Sequence, residues 1–260
     1  MPKLLVNNTG IYYETAGQGE PLLFIHGLAS SARSWKKQVP FFSQQYRVVT
    51  FDIRGHGRSD KPMEPYSIEL FASDAAELLK ALGIESAHIV GFSMGGMIAF
   101  QLAVEAPELV RSLVAVNSCP EGSIRSFNGG VECFKHLVGM QINGIRHRPR
   151  KNGGESESET KEERSYQSLL QRMAMKNKLA YANAFGALLK WSVVDRLDTI
   201  KCPTLMISSD ADFVPVSVKE GYASKMPCAE LMVISNSRHG APRERTEEFN
   251  EMLLRFVSGH

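Results

Sequence analysis

The chain has 260 residues, 43% of them hydrophobic, enough apolar material for a sizeable core that needs neither disulfides nor metal. Lys and Arg number 30 against 28 Asp and Glu, and this balance of +2 argues against a nucleic-acid surface as the main purpose. A mean hydropathy of −0.18 and the lack of a long apolar run exclude a membrane span. In chain order, short β-branched or aliphatic runs at 4–6, 11–15, 22–26, 47–51, 87–92 and 113–117 predict strands. The later runs are continuous rather than alternating, as in strands covered on both faces. Between them, Ser67 predicts an N-cap, followed by Glu69 and an apolar stripe of Leu70, Phe71, Ala75, Leu78, Leu79 and Leu82 before Gly83. A second helix starts at Met94 and runs to Ala106, before Pro107.

The alternation lapses over 120–192, then resumes with a strand at 204–208, a helix at 216–226, a strand at 230–234 and a closing helix at 243–257. Strand and helix in turn predict an α/β fold with a mostly parallel sheet of about eight strands, flanked by helices. Residues 1–119 and 193–260 then form the core. Within the interruption, Phe127, Val131, Phe134 and Val138 recur at helical spacing, as do Leu169, Leu170 and Met173, and again Phe185, Leu188 and Leu189. An inserted α-helical cap is expected there. Its 146–164 stretch is basic first (Arg146, Arg148, Arg150, Lys151) and acidic after (Glu155 to Glu163), which predicts a mobile polar loop. The cysteines Cys119, Cys133, Cys202 and Cys228 form no CxxC pair and no zinc spacing, and read as thiols of a reducing compartment. Met1-Pro-Lys-Leu-Leu-Val lacks the features of a secretory signal, so a cytoplasmic location is expected.

The chemistry centres on Gly91-Phe92-Ser93-Met94-Gly95, which falls where a strand ends and a helix begins. A serine on such a sharp turn is lifted clear of the sheet, with the Met94 N–H beside it at a helix N-terminus. Its hydroxyl needs a base, and His239 follows the last strand, at the edge where site residues of open α/β sheets collect. His26, His56, His88, His136, His147 and His260 invite structural readings, with His26 bracing a glycine turn. The imidazole in turn needs an acid. Asp210 and Asp212 both follow the 204–208 strand. Asp212, farther out and near Pro215, is favoured, and Asp210 is the alternative, otherwise a turn former holding loop amides. Gly27 turns the chain after the 22–26 strand, so the N–H groups of Leu28 and Met94 would form an oxyanion hole.

The order Ser93, Asp212, His239, the His26-Gly27-Leu28 turn and Asp52-Ile53-Arg54-Gly55-His56-Gly57-Arg58-Ser59 resemble the α/β-hydrolase superfamily. Within it the chain looks like small capped serine hydrolases grouped with carboxylesterases, enol-lactone hydrolases and cofactor-free haloperoxidases. Carried over by position, the resemblance makes Ser93 the nucleophile, His239 the base, Asp212 its acid, and Leu28 and Met94 the oxyanion amides. It also places the cap at the interruption. Epoxide hydrolases and haloalkane dehalogenases share the scaffold but use an Asp nucleophile, which Ser93 excludes as the main chemistry.

The expected activity is hydrolysis of carboxylic esters of small, mainly apolar substrates through an acyl-enzyme. No cofactor, no metal, no nucleic acid and no membrane are expected as partners. Trp35, Met97, Phe127, Phe134, Met173, Phe185, Trp191 and Phe213 are candidates to line an apolar acyl pocket. Two enzyme alternatives share the site: enol-lactone or carbon–carbon bond hydrolysis, and perhydrolysis. A non-enzymatic alternative is a small-molecule receptor that keeps the triad. Gly17-Gln-Gly19 lacks a third glycine, and there is no Walker loop and no HExxH, so nucleotide and zinc-protease readings fail. Oligomeric state is open between monomer and homo-oligomer.

Overall fold

The computed structural model describes residues 2–122, 178–189 and 191–260. All eight expected strands form: β1 (Lys3–Val6), β2 (Thr9–Ala16), β3 (Glu20–Ile25), β4 (Tyr46–Phe51), β5 (Ala87–Phe92), β6 (Val110–Val116), β7 (Thr204–Ser209) and β8 (Ala229–Ile234). They make one sheet in the order β1-β2-β4-β3-β5-β6-β7-β8. The pairs β1/β2 and β2/β4 are antiparallel, and every pair from β4/β3 to β7/β8 is parallel. The crossing of β3 and β4 puts the carboxyl ends of β3, β5, β6 and β7 side by side, and the site is built on that edge.

Around the sheet lie α1 (Val39–Phe42), α2 (Ile68–Ala81), α3 (Met94–Glu105), α4 (Lys178–Leu189), α5 (Val216–Ala223), α6 (Ala241–Glu244) and α7 (Thr246–Val257). The Ser67 side chain caps α2 as the sequence implies, accepting a hydrogen bond from the Leu70 N–H at 3.1 Å. The closing helix starts later than residue 243, because the chain leaves helical angles at Arg245 and separates α6 from α7.

Alternate strand residues feed two cores. Leu23, Ile25, Val49, Ile89, Leu113 and Met206 pack with α2 and α3 on one face. Leu22, Phe24, Val90, Val114, Leu205 and Ile207 pack with α1 and α7 on the other. Trp35 belongs to this second core. Its ring lies 4.7 Å from Phe24 and 6.3 Å from Phe249, and it is 2% exposed. The expectation that Trp35 lines an acyl pocket is therefore corrected: the loop after β3 and the short helical turn 32–35 carry it under the sheet, on the face opposite α3.

Of the insertion, α4 and its two ends are described. The chain leaves the core at 120–122 and returns at 191–193 as a short antiparallel neck, with Val193 N–H on Pro120 O and Gly122 N–H on Trp191 O, both at 2.9 Å. Trp191 is buried here, its indole N–H donating to Gln101 Oε1 of α3 at 2.7 Å. It anchors the neck to α3, which corrects its expected place in a pocket. Phe127, Phe134, Met173 and the 146–164 loop lie outside the described residues. Among the described residues, no helix is long and apolar enough to cross a membrane.

Candidate active site

Ser93 sits between the last residue of β5 and the first of α3 with φ 54° and ψ −120°, angles an L-residue adopts at a cost of about 1–3 kcal/mol. The surroundings enforce the turn. A Cβ at Gly91 would run into the Gly95 carbonyl oxygen, and one at Gly95 into the carbonyls of Ile25 and His26. Ser93 N–H donates to Val116 O at 2.9 Å, and its carbonyl accepts from Ser118 Oγ at 2.8 Å, so β6 clamps the elbow from the side. Met94 is the first residue of α3, and its N–H has no partner four residues back in the helix. That amide and the positive end of the helix dipole lie next to the hydroxyl.

The loop after β3 comes up against the same serine. A Cβ at Gly27 would stand 3.2 Å from Ser93 Cβ and 3.1 Å from the Phe92 ring, a tight fit that glycine relieves. Leu28 follows, half-buried. The loop is braced by the residues after β4. Asp52 Oδ1 accepts from Ala32 N–H at 2.7 Å and Oδ2 from Arg58 N–H at 2.7 Å. His26 Nε2 accepts from Ile53 N–H at 3.1 Å, while its Nδ1 bonds to Gly27 O at 2.8 Å. These two contacts require a neutral ring protonated on Nδ1, and burial pushes the His26 pKa down. His56 is packed edge-on to it, ring centroids 5.3 Å apart. Burial first, then the neighbouring His26, lowers His56 to about 3. The bracing role read for His26 is what the structure contains.

Across the edge, His239 Nδ1 meets Asp212 Oδ1 at 2.7 Å. Burial works to raise the Asp212 carboxyl. The hydrogen bond and charge of His239, together with those of Lys219, outweigh it and hold the group below the usual carboxylate range. Asp210 is turned away, accepting from Asn236 N–H at 2.8 Å and Ser237 N–H at 3.1 Å. Asp212 therefore faces the imidazole, and Asp210 holds the loop. The His239 ring is sandwiched near Phe213, at 4.1 Å between centroids, and Phe92, at 5.0 Å. Phe92 precedes Ser93, so the imidazole packs against the residue next to the elbow serine.

Of the other expected pocket residues, Met97 lies buried one turn into α3, its N–H reaching back to Ser93 O at 3.3 Å. Phe185 is half-buried on α4, and Asn183 of the same helix donates to Met63 O and Glu64 O. Two residues escaped the sequence reading. Asn117 at the end of β6 has φ 44°, accepts from Ser209 N–H at 2.7 Å and donates to His239 O at 2.8 Å, so it ties the histidine loop to β6 and β7. Lys219 of α5 is 1% exposed and ion-paired with Asp212. An asparagine ending a strand is a weak hint of a left-handed residue. A lysine in a short helix gives no hint of burial.

The described geometry offers a hydroxyl on a strained turn at a helix N-terminus, a glycine loop packed close against it, and an imidazole oriented by a buried carboxylate. The family described as alpha/beta hydrolase fold matches this chain over residues 20–245. A protein of Azorhizobium caulinodans named "Putative carbamate hydrolase RutD" is 29% identical over 98% of this chain and 98% of its own length. The 3-oxoadipate enol-lactonase 1 of Acinetobacter baylyi is 30% identical over 91% of this chain and 88% of its own. Among solved structures, Est816, described as an N-acyl homoserine lactone degrading enzyme, superposes with a TM-score of 0.76 at 30% identity, covering 98% of this chain and 100% of its own. The chain belongs to the alpha/beta hydrolase family, in the group that includes the enol-lactone hydrolases, and is a hydrolase.

Proposed function

We propose that this hydrolase is a serine esterase acting on carboxylic esters of small, mainly apolar acids, cyclic esters included, through an acyl-enzyme. The observation that carries the reading is the pairing of His239 Nδ1 with buried Asp212, its ring against Phe92, which leads into the positive-φ turn of Ser93. With Nδ1–H committed to Asp212, Nε2 is left as the basic nitrogen. Ser93 Oγ attacks the ester carbonyl as Nε2 takes its proton, and the Leu28 and Met94 amides hold the developing oxyanion. His239 then protonates the leaving alkoxide. In a second half-reaction it takes a proton from water, whose oxygen attacks the acyl-serine, and it returns that proton to Ser93 Oγ as the C–Oγ bond breaks and the acid is released. In a lactone the leaving alcohol stays tethered to the acyl chain, and the same steps open the ring. The apolar rings of Phe213 and Phe92 beside His239 favour uncharged substrates.

The relatives named for enol-lactone and acyl homoserine lactone substrates support a cyclic ester as one arm of the test, and the carbamate hydrolase name supports another. Purified chain should be assayed on p-nitrophenyl esters from acetate to octanoate, a γ-lactone series and an aryl carbamate, beside Ser93→Ala. Repeated turnover of an ester or lactone, absent from the variant, is the expected result. Equal turnover by both proteins overturns the reading, and a single slow acylation without release favours a receptor.

A further inference from the structure

Lys219 is the group that the triad chemistry leaves unused. It lies on α5, a surface helix whose next residue, Glu220, is exposed, yet Lys219 points inward and is 1% exposed. A buried ammonium must find partners for its protons. Here Nζ donates to Ser208 Oγ at 2.8 Å, to Asn117 Oδ1 at 3.4 Å and to Asp212 Oδ2. The two oxygens of Asp212 are therefore divided, Oδ1 to the imidazole and Oδ2 to the ammonium. A buried ion pair of this kind stabilises a fold less than a well-packed apolar side chain of the same size. Its consequence is better sought in the electrostatics of the carboxylate.

We propose that Lys219 is a positioning residue of the Ser93–His239–Asp212 system, fixing the Asp212 carboxylate and extending activity to lower pH by opposing a second positive charge on the His239 ring. The proposal rests on the esterase reading above. Asp212 alone would favour the protonated imidazole, and a fixed cation on the far oxygen offsets part of that preference. The base thus stays available for attack in more acidic solution. The strength of this opposition depends on what else faces the pair. From the end of β6, the Cys119 thiol is pushed up to about 12 by burial and is neutral. Glu121 accepts from Tyr222 of α5. Asp210, after β7, is spent on two loop amides. Glu244 of α6 accepts from Ser237 Oγ and Arg238 N–H, and the Arg238 side chain is exposed. Among the described residues, Asp212 is in direct contact with the His239 ring and with one fixed cation, Lys219.

The test is the pH profile of kcat/KM on the best ester found for the native chain, compared with Lys219→Gln, Lys219→Met and Lys219→Arg. Turnover by the native chain, lost in Ser93→Ala, establishes the esterase reading independently of any change at Lys219. Both uncharged variants should move the acid limb of the profile up by about one pH unit, whereas Lys219→Arg should keep it in place. A limb that stays put in Lys219→Gln while kcat falls makes Lys219 a structural residue and overturns the proposal. Should the uncharged variants fail to fold, nitrogen NMR on the native chain decides: Lys219 Nζ must appear as an ammonium at pH 7, and a neutral amine there overturns the proposal as well.

Discussion

The two sides of the site are held by opposite means. On the side of Ser93, from β3 across to β5 and α3, position comes from shape: Gly91 and Gly95 admit backbone where any side chain would collide, and His26 and His56 are buried uncharged. On the acid–base side, from β6 to α6, position comes from charge and hydrogen bonds: Asp212, Lys219 and Asn117 form one connected polar group behind His239. The proposed nucleophile is wedged. The proposed base is wired to partners that respond to charge.

The largest effect that would sharpen this contrast lies on the wired side. Asp212→Asn should lower kcat by up to about 10⁴-fold, because an amide permits the wrong imidazole tautomer, while the protein stays folded by circular dichroism. Asp210→Asn should retain most of the activity, since its role is to accept two loop amides. A larger loss from Asp210→Asn would exchange their roles. Asp212 should also show in the pH dependence of stability. The contribution of its ionised form is fully present above about pH 3.9, the unfolded carboxyl value, and is lost as pH falls through its lower folded value.

The wedged side should fail differently. Gly95→Ala drives a methyl group against Ile25 O and against His26 O at 2.7 Å, and should cost about 1–3 kcal/mol in urea unfolding. The control is Gly221→Ala in α5, where a Cβ meets nothing within 4 Å; it should stabilise by about 0.5–1 kcal/mol. If both substitutions have the same effect, the elbow is not held by steric exclusion.

A smaller effect reads the neutral histidines. His56 is lowered to about 3 when folded, against about 6.5 unfolded. Between these values the unfolded chain binds a proton that the folded chain refuses, so stability falls as pH drops from 6.5 toward 3. One such group contributes up to about 1.4 kcal/mol per pH unit, and His26, also lowered by burial, acts in the same direction. His56→Asn should flatten the slope of unfolding free energy against pH by about one proton. An unchanged slope would show that His56 does not meet acid in this way.

How far the sequence reveals each side follows from the same contrast. Steric devices are local, and local patterns are readable: the two glycines around Ser93, Gly27 after its strand and Ser67 at its helix all take their predicted places. The eight strands are equally plain, because each carries its own apolar run. The polar wiring is not local. Lys219 acquires its meaning from Ser208, Asn117 and Asp212, brought to it by the packing of α5 on β7, and nothing in Val216-Ser-Val-Lys219 distinguishes it from a solvated lysine. Trp35 and Trp191 fail for a related reason. Trp35 follows the loop after β3 and Trp191 follows α4, and for each only the tertiary packing, against Phe249 or Gln101, decides where the ring goes.

The proposed acylation of Ser93, on which both sides of the site converge, is read most directly with a serine-directed alkyl phosphonate followed by peptide mass mapping. One adduct per chain is expected, on the peptide carrying Ser93, formed at a rate that falls with acid as His239 loses its basic nitrogen. Ser93→Ala should take up none. An adduct on any other serine of the native chain, or equal labelling of the variant, would contradict Ser93 as the nucleophile.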